Sequence, residues 1–351
     1  MEINLKNYVC NVPFNALEIH NNEYFLCCPS WLNVSFKRDE YTLGEIWNSE
    51  PVQEIRESLL DGSFKYCNKE LCPFLSKLVN HGIATGPISL KTPDTAINIK
   101  KIIKNNTPNV LMMNFDRTCN YKCPSCRIDL IVENSNGIKR IEKTIEEIDT
   151  HYSANVKRLY ITGSGDPFVS VGFRNYLKNF NPKKYPKLQG IHLHTNASMW
   201  NKEMWDSMST VHKYVTTCEI SIDAGTKDTY ENKTRLGGKW DTLINNLNFI
   251  STIETLKSVK TSFVVQDSNY MEMELFYNLM YSIFGKKVNV FFGKITNWGT
   301  FSEGEFKLKQ VWDTEHPEQH LFKKEFNKIW KNTNLFHNLY EFIDTTKKTL
   351  I

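Results

Sequence analysis

The sequence predicts an α/β protein: a partly open (β/α)6 barrel preceded by a small cysteine-rich module. Three observations carry that expectation. Six apolar runs of strand length, at 109–115, 156–162, 190–195, 215–223, 259–266 and 287–292, suit buried parallel strands. Helix-like stretches at 141–148, 173–180, 202–209, 240–252 and 271–283 alternate with them, and six strands fall short of a full eight-fold barrel. Eight of the nine cysteines lie within the first 126 residues, leaving Cys218 alone in the body.

The expected divisions are a cysteine-rich front (1–75), a connector (76–108), the barrel (109–300) and a C-terminal helical tail packed on it (301–351). In the tail Phe322, Phe326 and Trp330 recur at helical spacing, which reads as a packed helix face rather than a pocket wall. Trp298, Phe301 and Trp312 are the other aromatics there. A composition of 40% hydrophobic and 23% charged residues is that of a globular chain. The net charge of +4 is too small to argue for a nucleic-acid partner. No signal peptide or membrane span is expected, because the N-terminus lacks an apolar core and no stretch approaches about 18 apolar residues. Nine cysteines without an export signal then point to metal or redox chemistry in a reducing cytoplasm.

The chemistry begins at Thr118-Cys119-Asn120-Tyr121-Lys122-Cys123-Pro124-Ser125-Cys126. Three thiolates so close in sequence can hold one cubane iron–sulfur cluster and leave one of its irons without a protein ligand. A structural zinc site wants four ligands. Cys119, Cys123 and Cys126 resemble the cluster motif of the radical S-adenosylmethionine (radical SAM) superfamily, in which the open iron chelates SAM. Ser125 departs from that pattern, since the position is usually aromatic, and Tyr121 is the candidate replacement for stacking on adenine.

The resemblance extends along the strands and implies a partial TIM-like barrel. Thr162-Gly163-Ser164-Gly165-Asp166-Pro167 looks like the glycine-rich loop that approaches the SAM amino group, with Gly165 allowing close approach and Asp166 binding the ammonium. Thr195-Asn196 resembles the family's Thr-Asn turn. Ser221-Ile222-Asp223 resembles its ribose motif, so Ser221 and Asp223 are expected at the ribose hydroxyls. Arg235 stands where the family supplies an arginine to the SAM carboxylate, and Val265-Gln266 where it contacts adenine. Strand alternation puts His192, His194 and Asn196 on one face, directed either to substrate or beneath helices. The same alternation puts Cys218 in the core, a bland alternative to a hydrogen-atom donor.

The front resembles a SPASM/twitch auxiliary-cluster module, through Leu26-Cys27-Cys28-Pro29, Ile46-Trp47-Asn48-Ser49 and a helix capped by Ser49 and ended at Gly62. Such a module ordinarily follows the barrel; here it precedes it. The resemblance implies a second [4Fe-4S] cluster on Cys10, Cys27, Cys67 and Cys72, with Cys28 as the substitute for Cys27. A zinc site stapling a small subdomain is the alternative. Family membership implies a SAM-binding [4Fe-4S] cluster, SAM itself, an electron donor such as flavodoxin or ferredoxin, and a peptide, sugar or small-metabolite substrate. It also implies abstraction of hydrogen from a substrate C–H bond, with oxidation, crosslinking or epimerisation as the outcome. The other readings are a non-catalytic iron–sulfur or zinc scaffold and a nucleic-acid-modifying member of the superfamily.

Overall fold

A computed structural model describes residues 3–93, 107–330, 339–344 and 349–350; parts of the expected connector and tail lie outside them. The chain divides into two compact units. The first comprises Met1–Asp116, Ser135–Ser164 and Phe180–Ile191; the second comprises Arg117–Asn134, Gly165–Asn179 and His192–Ile351.

The first unit contains β1 (Tyr8–Cys10), β2 (Ala16–His20), β3 (Glu23–Phe25), β4 (Phe36–Lys37), β5 (Ile88–Leu90), β6 (Val110–Asn114) and β7 (Arg158–Ile161). Its helices are α1 (Leu43–Ile46), α2 (Glu50–Leu60), α3 (Pro73–His81) and α4 (Ser135–His151). The strand order is β7-β6-β2-β3-β4. β6 runs parallel to both β7 and β2, and Leu17, Ile19, Leu111, Met113, Leu159 and Ile161 supply fully buried side chains to it. The front is joined to this sheet by backbone pairing. Its β2 is a further parallel strand of the main sheet, and β1 pairs with β5, inside the segment expected to be a connector.

Beside the sheet lies a second core of Val9, Phe14, Leu59, Phe64, Leu75, Leu78 and Ile88, against which Cys10, Cys67 and Cys72 pack. α2 starts after Ser49 as expected, but the Ser49 hydroxyl donates back to the Ile46 carbonyl at 3.0 Å rather than capping the helix. Past its end Gly62 has φ +84°, and a Cβ there would stand 2.5 Å from the Lys6 Cα, so only glycine fits.

The second unit contains β8 (Gly190–Thr195, in this unit from His192), β9 (Val215–Ser221), β10 (Ser258–Val265) and β11 (Val288–Lys294). Its principal helices are α5 (Val171–Lys178), α6 (Lys202–Asp206), α7 (Trp240–Ser251), α8 (Met273–Phe284) and α9 (Gln319–Trp330). The strand order is β8-β9-β10-β11, with β9, β10 and β11 parallel. All six expected barrel strands are present, and the protein is mixed α/β with mostly parallel strands.

The two faces of this second sheet differ. One carries Leu193, Cys218, Ile220, Val259, Phe263, Val290 and Phe292, all buried, with Phe276 of α8 packed 5.0 Å from Phe263. The other carries His192, His194, Thr217, Glu219, Ser221, Lys260 and Ser262. On α9, Phe322, Phe326 and Ile329 are buried, while Trp330 stacks on Phe326 at its exposed end. Trp312 is buried too, whereas Trp298 is exposed.

Candidate cofactor site

The 119–126 loop belongs wholly to the second unit and is pinned at both ends. Cys119 N–H donates to the Ile131 carbonyl at 3.0 Å, Lys122 N–H to Leu236 at 2.9 Å, and Cys126 N–H to Cys123 at 2.9 Å. Gly237, with φ +96°, lets its chain pass close to the Asn120 carbonyl, which a Cβ would meet at 3.2 Å. Tyr121 is buried and its hydroxyl is hydrogen-bonded to that of Tyr230 at 3.0 Å. Its hydroxyl is thereby committed to the protein.

Each of the three thiols has its own N–H donor. Asn196 Nδ2 lies 3.6 Å from Cys119 Sγ, Arg235 Nη1 3.6 Å from Cys123 Sγ, and Arg127 Nη2 3.5 Å from Cys126 Sγ. Cys119 and Cys123 are buried and Cys126 is exposed. Burial, with Asp166 nearby, pushes the Cys119 thiol up to about 11, and burial raises Cys123 as well. Without a metal these sulfurs hold their protons, and a metal that binds there releases them. Donors to sulfur then stabilise the thiolates and tune whatever they ligate. Cys218, the one remaining cysteine of the unit, is buried on the apolar face with its thiol raised by burial. Three sulfurs with three donors and no fourth thiol fit a cluster with one open iron.

The residues expected to touch SAM are brought around this loop, but much of their charge is spent on the protein. Asp166, which follows Gly165, accepts from the Thr195 hydroxyl at 2.7 Å, Asn196 N–H at 2.8 Å and Phe168 N–H at 3.0 Å. Its own N–H donates to the Thr118 carbonyl at 2.8 Å. Asp166 thus ties the three-cysteine loop to the Thr-Asn turn. Asn196 also donates to Asn120 at 3.0 Å, and Ala197 after it has φ +60°.

Asp223 and Arg235 are paired with each other at 2.6 Å, with side chains 2% and 11% exposed. Asp223 further accepts Val264 N–H at 2.7 Å, and its φ is +59°. Burial works against the Arg235 charge, yet the Asp223 carboxylate beside it holds the guanidinium firmly protonated. The pair braces the strand ends. Left-handed residues at two successive strand ends are the sort of local strain that a site retains. Ser221 is engaged with His194 Nε2 at 2.9 Å, and Gln266 is buried with its N–H on Asn269. Sequence reasoning missed Asn120, Arg127 and Asn269, the last donating to the Asp223 and Val264 carbonyls.

On the polar sheet face, burial and the His194 charge push His192 down to about 4. Burial raises Glu219, but His194, Lys260 and Ser262 outweigh it and hold the carboxyl at about 2. Both groups therefore bind fewer protons folded than unfolded on acidification. Stability is expected to be level above about pH 6.5 and to fall between there and pH 4 as the unfolded chain protonates His192. It falls further below pH 4.5, where unfolded Glu219 does the same. The His192 displacement is worth about 3 kcal/mol when fully developed. Urea denaturation from pH 8 to pH 4 measures it, and His192→Gln should flatten the upper limb.

In the first unit, Cys10 ends β1, Cys27 follows β3, Cys67 bridges to Leu32, and Cys72 precedes α3. Burial raises the thiols of Cys10 to about 11 and of Cys67 to about 12, and each is raised further by Cys72. Cys27 is raised by burial and by Cys10. Cys28 instead feels Glu18 and hydrogen-bonds with Ser30. Among the described residues no three His, Cys, Asp or Glu side chains converge as a single metal ion requires. A polynuclear cluster takes ligands set apart by its own width.

No protein-family model and no curated protein matches the chain. Among solved structures, it is similar to SuiB from Streptococcus suis, with 15% identity over 76% of this chain and 65% of that one and a TM-score of 0.45. SuiB bound to its precursor peptide SuiA gives 18% identity, 76% and 62% coverage and a TM-score of 0.43. Native anSMEcpe with bound AdoMet gives 13% identity, 66% and 64% coverage and a TM-score of 0.43. The chain spans less than two thirds of the length of these proteins. Among the described residues no helix is long and apolar enough to cross a membrane.

Proposed function

We propose that this chain is a radical SAM enzyme. The observation that carries the reading is the triad of thiols Cys119, Cys123 and Cys126, each met by an N–H donor from a different side chain. The three cysteines would hold a [4Fe-4S] cluster, leaving one iron without a protein ligand and so available to SAM. When bound, these groups supply a 5′-deoxyadenosyl radical able to take hydrogen from an unactivated C–H bond. Asp166 locks the Thr195-Asn196 turn against the cluster loop, Asn196 and Arg235 donate to sulfur, and the Asp223–Arg235 pair fixes the strand ends beside them. Gly165 and Ser221 line the cofactor. Formation of 5′-deoxyadenosine from SAM under reducing, oxygen-free conditions tests this.

The front cysteines Cys10, Cys27, Cys67 and Cys72 hold a second [4Fe-4S] cluster. Their mutual electrostatic influence, and the different surroundings of Cys28, favour this set. The enzyme works in a reducing cytoplasm with flavodoxin or ferredoxin as electron donor, on a peptide, sugar or small metabolite. Cys67→Ala is expected to lower the iron content of the reconstituted protein by about half while SAM cleavage persists. Unchanged iron content would remove the second cluster.

A further inference from the structure

A parallel sheet is ordinarily apolar on both faces, because helices cover both. Here one face of β8–β10 bears two histidines, a carboxylate, an ammonium and three hydroxyls, a polar network of three hydrogen-bonded groups. His192 Nδ1 meets Thr217 Oγ1 at 2.9 Å and His194 Nε2 meets Ser221 Oγ at 2.9 Å. Lys260 Nζ stands 3.1 Å from Glu219 Oε2, and the Ser262 hydroxyl donates to Glu219 Oε1. The strand register sets Lys260 directly opposite Glu219 and Ser262 opposite Ser221. Lys260 and Glu219 are half-buried, and their pairing offsets the cost of withdrawing either charge from water.

The unspent hydrogen-bonding capacity of this network is unequal. Both Glu219 oxygens are taken. The Lys260 ammonium has three donors, of which Glu219 takes one, and it also lies 3.9 Å over the Phe291 ring. Its side chain keeps 35% of its surface exposed, against 18% for Glu219. His194 Nδ1 makes no hydrogen bond among the described residues, and it is a donor whenever Nε2 accepts the Ser221 hydroxyl proton. The spare capacity is therefore donor capacity around one cation whose charge Glu219 only balances. Such a site suits a group with a single negative charge and two acceptor oxygens. Two residues beyond His194 the chain reaches Asn196, which touches the Cys119 sulfur.

We infer that Lys260 and His194 bind a carboxylate of the substrate, placing a carboxylate-bearing molecule on this face beside the cofactor loop. The assignment of the bound molecule as substrate rests on the enzymatic reading above; the anion site itself does not.

The test is a titration of the full chain, labelled with 13C in its histidine rings, with N-acetyl-L-glutamate and with the uncharged isostere N-acetyl-L-glutamine. His194→Gln identifies the signal. A saturable shift of the His194 resonance with the anion, absent with the amide and at least tenfold weaker in Lys260→Met and Lys260→Gln, is the expected result. Equal responses to both compounds, no response, or undiminished binding in folded Lys260 variants would overturn it. SAM cleavage is read separately on the same preparation. Anion binding without 5′-deoxyadenosine would remove the enzymatic role and leave the site, whereas 5′-deoxyadenosine without anion binding would do the reverse.

Discussion

Replacing Cys123 with alanine is expected to abolish SAM cleavage. On the proposed reading two thiolates cannot retain the cluster that three hold, and Cys123 is the most buried of the three cysteines at 4% exposure. The fold should survive, because the change removes one sulfur and leaves Arg235 on Asp223. The expected outcome is a soluble protein, unfolding within a few degrees of the parent, with 5′-deoxyadenosine below detection. Chromatography of an anaerobic reaction reads the product, and turnover at the parental rate would contradict the assignment of the cluster.

Arg235→Met should produce the largest loss of stability away from the apolar core. It strands the Asp223 carboxylate, 2% exposed at its side chain, with Val264 N–H as its remaining side-chain partner of those described here. Removing one partner of a buried ion pair costs about 3–5 kcal/mol. The stranded carboxyl has its folded-state pKa raised by burial, so the penalty is present above that pKa and is relieved as pH falls through it. Urea denaturation at pH 7 and pH 5 should therefore show a smaller deficit at the lower pH. A loss below about 1 kcal/mol would mean the pair is open to solvent.

The six strands expected of a barrel were legible because buried parallel strands read as near-continuous apolar runs. β2 was not, since Ala16-Leu17-Glu18-Ile19-His20 alternates over only five residues and stands among cysteines that suggested a separate module. Only the register with β6 reveals its place. The three-cysteine loop was legible from the spacing of Cys119, Cys123 and Cys126. Less so were the duties of Asp166, Asp223 and Arg235, whose partners are set by tertiary contacts: Asp166 meets Asn196 thirty positions on. The polar face was half visible, because His192 and His194 alternate on β8. Lys260 and Ser262 continue the same alternation on β10, where an apolar reading of the run passed over them.

The most direct test of the account is anaerobic reconstitution with iron and sulfide, followed by dithionite and SAM. The account predicts about eight irons per chain and the appearance of 5′-deoxyadenosine and methionine. A fully loaded protein that forms no 5′-deoxyadenosine would contradict it.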